Sequence, residues 1–218
     1  MRRSGLAVFC LLALTHVAAA QSWVPWHQPG IHPDRPSDSS PAAYSSPWFG
    51  GGPAPALMSG GDRPSISPAS PQSVSIRTGY GAGTIVIDTG ARRLYLMQSG
   101  TTALSYPISV GRDGFRWTGT EKISRVAEWP DWHPPAEMRE RQPGLPVKMT
   151  GGIRNPLGAK AMYLGNSLYR IHGTNNTQSI GQANSSGCFR MANSHVIDLA
   201  RRVGVGTTVV VKSRVQAS

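Results

Sequence analysis

Cysteine is nearly absent. The 218-residue chain has two, Cys10 and Cys188, which excludes the disulfide framework of a small secreted scaffold. Acidic residues are scarce too, 11 against 22 Lys and Arg, for a formal net charge of +11. A basic surface favours an anionic partner. The basic residues are scattered, however, with no lysine-rich run and no aromatic-basic alternation, which argues against nucleic acid. Long apolar runs are also missing. The longest, around Leu6 to Leu14, is too short to span a bilayer.

That short run sits where an export signal belongs. Arg2 and Arg3 form a basic start, the apolar stretch follows, and Ala18 and Ala20 fit a small-residue cleavage site before Gln21. Residues 1–20 are therefore expected to be a cleavable signal peptide and the mature chain to be periplasmic, with no transmembrane segment. Cys10 leaves with the signal, and Cys188 becomes a solitary thiol in a compartment where cysteines usually pair. Such a thiol is an inert buried group, half of an intermolecular bridge, or a nucleophile.

Residues 21–73 are dominated by Pro, Ser, Gly and Ala and show no sustained period of 2 or 3.6. Too little apolar surface is available to offset the entropy of ordering them, so a disordered linker is expected. From Val74 the pattern changes. Ile85 to Asp88, Leu94 to Gln98 and Ala103 to Val110 read as strands of a meander, with Ile123 to Ala127 as a further strand. Residues 129–158 carry many prolines. Only "PAEMRER" looks helical there, and Trp129 and Trp132 suit either an ordered lid or a loop packed on the sheet edge. "AMYLG" and "LYRIHGT" read as strands joined by a turn at Asn166 and Ser167. "NSHVIDLARRVG" is an amphipathic helix, capped by Asn193 or Ser194, with Val196, Leu199, Ala200 and Val203 on its apolar face. "TTVVVKS" closes the chain as a strand. The expectation is a mainly β domain over residues 74–215, with one or two short helices.

The neighbours of Cys188 favour chemistry. A thiol needs a base or a positive field to attack a carbonyl, and donors aimed at the developing oxyanion. Gly187 removes bulk beside the sulfur, the backbone N–H groups near Gly187 and Cys188 suit an oxyanion, and Arg190 offers a forked cation for a carboxylate. His27 and His32 fall in the linker, His133 in the proline-rich loop and His195 on the helix. His172 ends a strand and is followed by Gly173 and Thr174, which makes it the preferred base. Zinc held by His172, Cys188 and His195 is disfavoured, because the spacings match no zinc pattern. No cofactor is called for.

The stretch "IHGTNNTQSIGQANSSGCFRMAN" resembles the signature of the L,D-transpeptidase (YkuD) catalytic domain, in which a histidine precedes a Ser-x-Gly-Cys-x-Arg motif. "IVIDTGARRLYLMQSG", "YPISVGRDG", "WTGTEKIS" and "GGIRNPLGAKAMYLG" are similar to its upstream segments, and the resemblance covers about Thr84 to Val211. It implies a β-rich, sandwich-like fold. It also implies Cys188 as nucleophile, His172 as general base and Gly173 as the residue whose carbonyl orients the histidine. Gly187 with Cys188 would form the oxyanion region, and Ser186, Arg190 and Asn193 would be polar residues of the motif. Some relatives carry histidine at the place of Ser186, and many carry an acidic residue at that of His195.

The implied substrate is the tetrapeptide stem of peptidoglycan, with loss of the terminal D-alanine and transfer of the acyl group. The acceptor is an amine of a second stem or of a wall-anchored or outer-membrane protein. Water as acceptor would give an L,D-carboxypeptidase, and carbapenems would acylate the same thiol. Two other classes compete. A papain-like peptidase has Cys before His, opposite to the order here. A non-catalytic wall-binding module has no need of either His172 or Cys188.

Overall fold

The computed structural model describes residues 55–113 and 117–215. The proposed signal and the first part of the proposed linker lie outside the described residues. The strands are β1 (Leu57–Met58), β2 (Gln72–Ser75), β3 (Ile85–Asp88), β4 (Arg93–Met97), β5 (Thr102–Pro107), β6 (Val110–Gly111) and β7 (Gly119–Glu128). After helix α1 (Ala136–Arg141) come β8 (Lys148–Met149), β9 (Lys160–Leu164), β10 (Arg170–His172), β11 (Ala183–Ser185) and β12 (Phe189–Arg190). Helix α2 (Asn193–Arg202) and β13 (Thr208–Lys212) finish the domain. The fold is mainly β, as the sequence pattern leads one to expect.

Nine strands form one sheet in the order β12-β10-β9-β7-β13-β3-β4-β5-β2. Most neighbours are antiparallel, but β13 runs parallel to β3 and β12 parallel to β10. The β-branched run Val209–Val211 pairs on both sides, with Ile85–Ile87 and with Gly119–Glu121. Strand alternation then sorts the side chains. Ile85, Ile87, Leu94, Leu96 and Tyr106 from one end of the sheet meet Ile123, Met162, Ile171 and Phe189 from the other in a single buried cluster. Helix α2 adds Val196 and Leu199 to it.

Three local expectations change. The Pro/Ser-rich stretch is not a free linker where it is described. β1 pairs parallel with β8, and β2 pairs antiparallel with β5. Between them, Gly60 and Asp62 accept N–H groups of Arg154 and Ile153, each at 2.8 Å. Backbone pairing with distant segments orders residues 55–73, and composition does not report that.

Helix α2 takes Ala192 as its N-cap residue, without a side-chain cap, because the Asn193 amide oxygen is engaged elsewhere. Its buried positions are Val196, Ile197, Asp198 and Leu199, and the helix ends at Arg202. Ala200 and Val203 are only half-buried. Ile197 instead packs with Trp129 and Ala159. Asp198 is sheltered because it accepts from the Tyr106 hydroxyl at 2.8 Å and from the Arg202 guanidinium through two bonds of 2.9 Å.

The proline-rich loop is packed against the body. Trp129 is buried, and Trp132 and Met149 exchange backbone hydrogen bonds of 2.8 Å. Asn155, fully buried, donates to the carbonyls of Pro130, Met149 and Thr150 and accepts from Leu157 N–H. Gly151 lies so close to the Trp129 carbonyl that a Cβ there would stand 1.7 Å from it. Of the two expectations for this loop, the packed one describes the structure.

Candidate active site

Strand register collects the chemistry on one face of the sheet. In β10 and β12, Ile171 opposes Phe189 and His172 opposes Arg190. Ile171 and Phe189 point into the core. By the two-residue period, Arg170, His172, Arg190 and the half-buried Cys188 just before β12 share the opposite face. Across β9, Tyr163 opposes Arg170 and Ala161 opposes His172. His172 and Cys188 are thus diagonal neighbours on adjacent strands.

His172 is only 4% exposed, and its Nδ1 lies 2.6 Å from the carbonyl oxygen of Gly173. A carbonyl can only accept, so Nδ1 carries the hydrogen and Nε2 keeps its lone pair. Burial, then Arg190, push the imidazole pKa down to about 3, although the Gly173 carbonyl acts in the opposite direction. The ring is therefore neutral at any ordinary pH. Cys188 is pushed up from the usual thiol value by burial, against the pull of Arg170 and Arg190. Its Sγ donates to the Leu168 carbonyl at 3.6 Å. The resting pair is a neutral thiol and a neutral imidazole, not a thiolate–imidazolium pair.

The Cys188 turn is held from within. Ser185 Oγ donates to the Cys188 carbonyl at 2.6 Å and accepts from Gly187 N–H at 3.2 Å. Gly187 has φ of 105°, in the region that favours glycine. Ser186, beside it, is exposed. The Ser185–Gly187 bond engages one of the two N–H groups expected to face an oxyanion. Asn193 lies at the same end of β10. Its Oδ1 accepts from Ala159 N–H at 2.9 Å and from Thr174 N–H at 3.2 Å. Asn193 thus fixes the backbone that follows His172.

Comparison with known proteins bears on the same segment. Residues 82–211 match the family model YkuD, the L,D-transpeptidase catalytic domain. The chain belongs to this family. The probable L,D-transpeptidase YbiS of Escherichia coli K12 is 39% identical over 134 residues, 57% of this chain and 43% of YbiS. The putative L,D-transpeptidase YkuD of Bacillus subtilis is 35% identical over 127 residues, 58% of this chain and 64% of that protein. A crystal structure of a probable carnitine operon oxidoreductase from Brucella melitensis is 47% identical, with a TM-score of 0.45 over 65% of this chain and 92% of that one. The matched region spans less than half the length of YbiS.

Within this L,D-transpeptidase domain, the structure brings together Cys188, His172, Gly173, Gly187, Ser186 and Arg190. Asn193 joins them through the backbone. His195 does not. It packs edge-on to Tyr106 at 5.8 Å and lines a separate cavity of about 310 Å³ with Arg93 and Ser105. His133 is exposed on the proline-rich loop.

Three residues were missed by sequence reasoning. The guanidinium of Arg125 lies 3.7 Å over the Tyr163 ring, and that of Arg170 lies 5.2 Å from the same ring centre. Arg170 stands one residue before the Ile171–Phe189 pair, in register with Cys188, and its positive charge pulls the Cys188 thiol pKa down. Only the pairing of β7, β9, β10 and β12 makes these residues neighbours. Ser185, the first residue of the Ser-x-Gly-Cys-x-Arg motif, is the residue that holds the Cys188 turn.

Proposed function

We propose that this chain is an exported cysteine L,D-transpeptidase acting on the tetrapeptide stems of peptidoglycan. The observation that carries the proposal is the His172 imidazole, neutral, with Nδ1 fixed on the Gly173 carbonyl and Nε2 left as a base on the face that holds Cys188. The thiol turns from Leu168 toward Nε2. Its sulfur attacks the carbonyl carbon at stem position three as its proton passes to the imidazole. The oxyanion is stabilised by the Cys188 backbone N–H of the Gly187–Cys188 turn, whose Gly187 N–H is held by Ser185 Oγ. The C–N bond breaks, the imidazolium proton goes to the leaving nitrogen, and D-alanine departs from a Cys188 thioester. An acceptor amine then attacks the thioester, gives its proton to His172 and restores the thiol.

The acceptor in this proposal is an amine, either of a second stem, which forms a 3-3 cross-link, or of a wall-anchored or outer-membrane protein. Water at the same step gives an L,D-carboxypeptidase. The periplasm is the proposed location, on the signal-like start of the sequence, and the positive net charge suits an anionic wall. No helix among the described residues is long and apolar enough to cross a membrane.

The test is incubation of the protein with tetrapeptide muropeptides, followed by mass spectrometry. D-alanine release and a Cys188 adduct are expected from the unaltered protein and neither from Cys188→Ala. Equal product from both would overturn the proposal. The ratio of cross-linked to hydrolysed product then identifies the acceptor.

A further inference from the structure

Four adjacent strands place Arg125, Tyr163, Arg170 and Cys188 in one transverse row. Arg125 on β7 opposes Tyr163 on β9, and Tyr163 opposes Arg170 on β10. The parallel register of β10 with β12 carries the row on to Cys188. Two cations thus flank one aromatic ring, and the inner cation is the strand neighbour of the nucleophile. Among the described residues neither arginine forms an ion pair with a carboxylate, and Arg170 Nε is buried without a hydrogen-bond partner. A buried guanidinium N–H left unmatched is costly unless a ligand completes it.

We infer that the Arg125–Tyr163–Arg170 row is a carboxylate-binding subsite that receives the free terminal carboxylate of the acyl donor. The inference rests on the proposed transpeptidase activity. In a donor that ends in a single D-residue, that carboxylate carbon is three bonds from the scissile carbonyl carbon, about 4 Å away. Once the carbonyl carbon lies on Cys188 Sγ, a guanidinium carried in register with Cys188 on the adjacent strand lies within reach of the carboxylate. The planar fork of Arg170 suits two-pronged pairing with it. The Tyr163 ring holds both guanidinium planes in place, and Arg125, more exposed, adds field at the mouth. The subsite would select donors with a free C-terminus over amidated or extended ones.

Two experiments test this and separate it from the activity itself. The first compares alkylation of Cys188 by iodoacetate and by iodoacetamide in the full chain. Both reagents need the thiolate, so the ratio of their rates cancels any change in thiolate fraction and reads the local field on an anion. The iodoacetate-to-iodoacetamide ratio is expected to fall at least about threefold in Arg125→Gln/Arg170→Gln, as loss of two nearby cations requires. It should fall less in Arg125→Gln, at an exposed position that folding tolerates, and stay near its original value in Arg170→Lys. An unchanged ratio in both Gln variants would overturn the subsite.

The second compares tetrapeptide donors with a terminal carboxylate and a terminal amide. The preference in kcat/KM for the carboxylate should collapse in Arg125→Gln/Arg170→Gln. An intact preference there would also overturn the subsite. If the unaltered protein releases no D-alanine, the transpeptidase proposal fails, while the alkylation ratio still decides whether the row binds anions.

Discussion

The side-chain oxygen of Asn193 accepts the backbone N–H of Thr174 at 3.2 Å and, through its other lone pair, that of Ala159 at 2.9 Å. This one atom ties the first turn of α2 to the strand end that carries His172. It fits because nothing else occupies the space. A Cβ on Gly158 or Gly173 would stand 2.2 or 2.1 Å from it.

Asn193→Ala leaves two backbone donors without their acceptor, and stability should fall by about 2 kcal/mol in urea titrations. Asn193→Asp retains an acceptor oxygen at that point and should lose less. If the two variants are equally stable, the oxygen is not the tie described.

His172 couples stability to acid. Its pKa is about 3 in the folded chain against an ordinary 6.5, so the unfolded chain takes up a proton that the native state refuses. Stability is therefore full above about pH 6.5 and falls as pH drops toward 3, by at most about 1.4 kcal/mol per pH unit from this group. Asp198 and His195, also depressed, contribute losses of the same sign. The test is accordingly the difference between the unaltered protein and His172→Gln, which should lack this part of the slope. Parallel stability–pH curves would contradict the neutral, buried imidazole.

Cys188 should behave as a weak acid. Burial raises its thiol above the ordinary 9.0, so the iodoacetamide rate should rise with a midpoint above pH 9. Arg170→Gln removes the charge that pulls hardest in the other direction and should move that midpoint further up. A midpoint near pH 7 would contradict the neutral resting pair, and one unmoved by Arg170→Gln would contradict the pull assigned to Arg170.

Ser185 is predicted to matter for turnover more than for folding. Its hydroxyl holds the Cys188 carbonyl and the Gly187 N–H at once. Ser185→Ala should cost about 1 kcal/mol of stability. It should lower kcat on muropeptides about tenfold or more with little change in KM, because the turn that aims the oxyanion donors is loosened. Unchanged kcat would show that the Ser185 hydroxyl is not needed to aim the turn.

Much of the β-scaffold was legible because its strands are rich in β-branched and apolar residues. Ile85–Asp88 was read to the residue, and β13 was marked by three consecutive valines. The Cys188–His172 pair stood out because one thiol was left over and one histidine lay beside glycine. What escaped is what pairing creates. Arg170 looks like an ordinary exposed strand residue until β12 is set beside β10. Asn193 looks like a helix cap until Ala159 and Thr174 arrive from elsewhere. Residues 55–73 look unstructured because their order comes from backbone bonds to partners such as Lys148, Arg154 and Ser105, and backbone bonds leave little mark on composition.

The early ordering at β1 has a mechanical meaning. Force arriving at Pro55 meets β1, held to β8, before it meets β2 and β5. Val147 and Lys148 donate to the Pro55 and Ala56 carbonyls, and Thr150 donates to that of Met58. A pull along this parallel pair loads the bonds side by side, in shear, so no single bond opens first. β8 belongs to the proline-rich loop braced by Trp129 and Asn155, so a load taken up by β1 would pass into a packed segment.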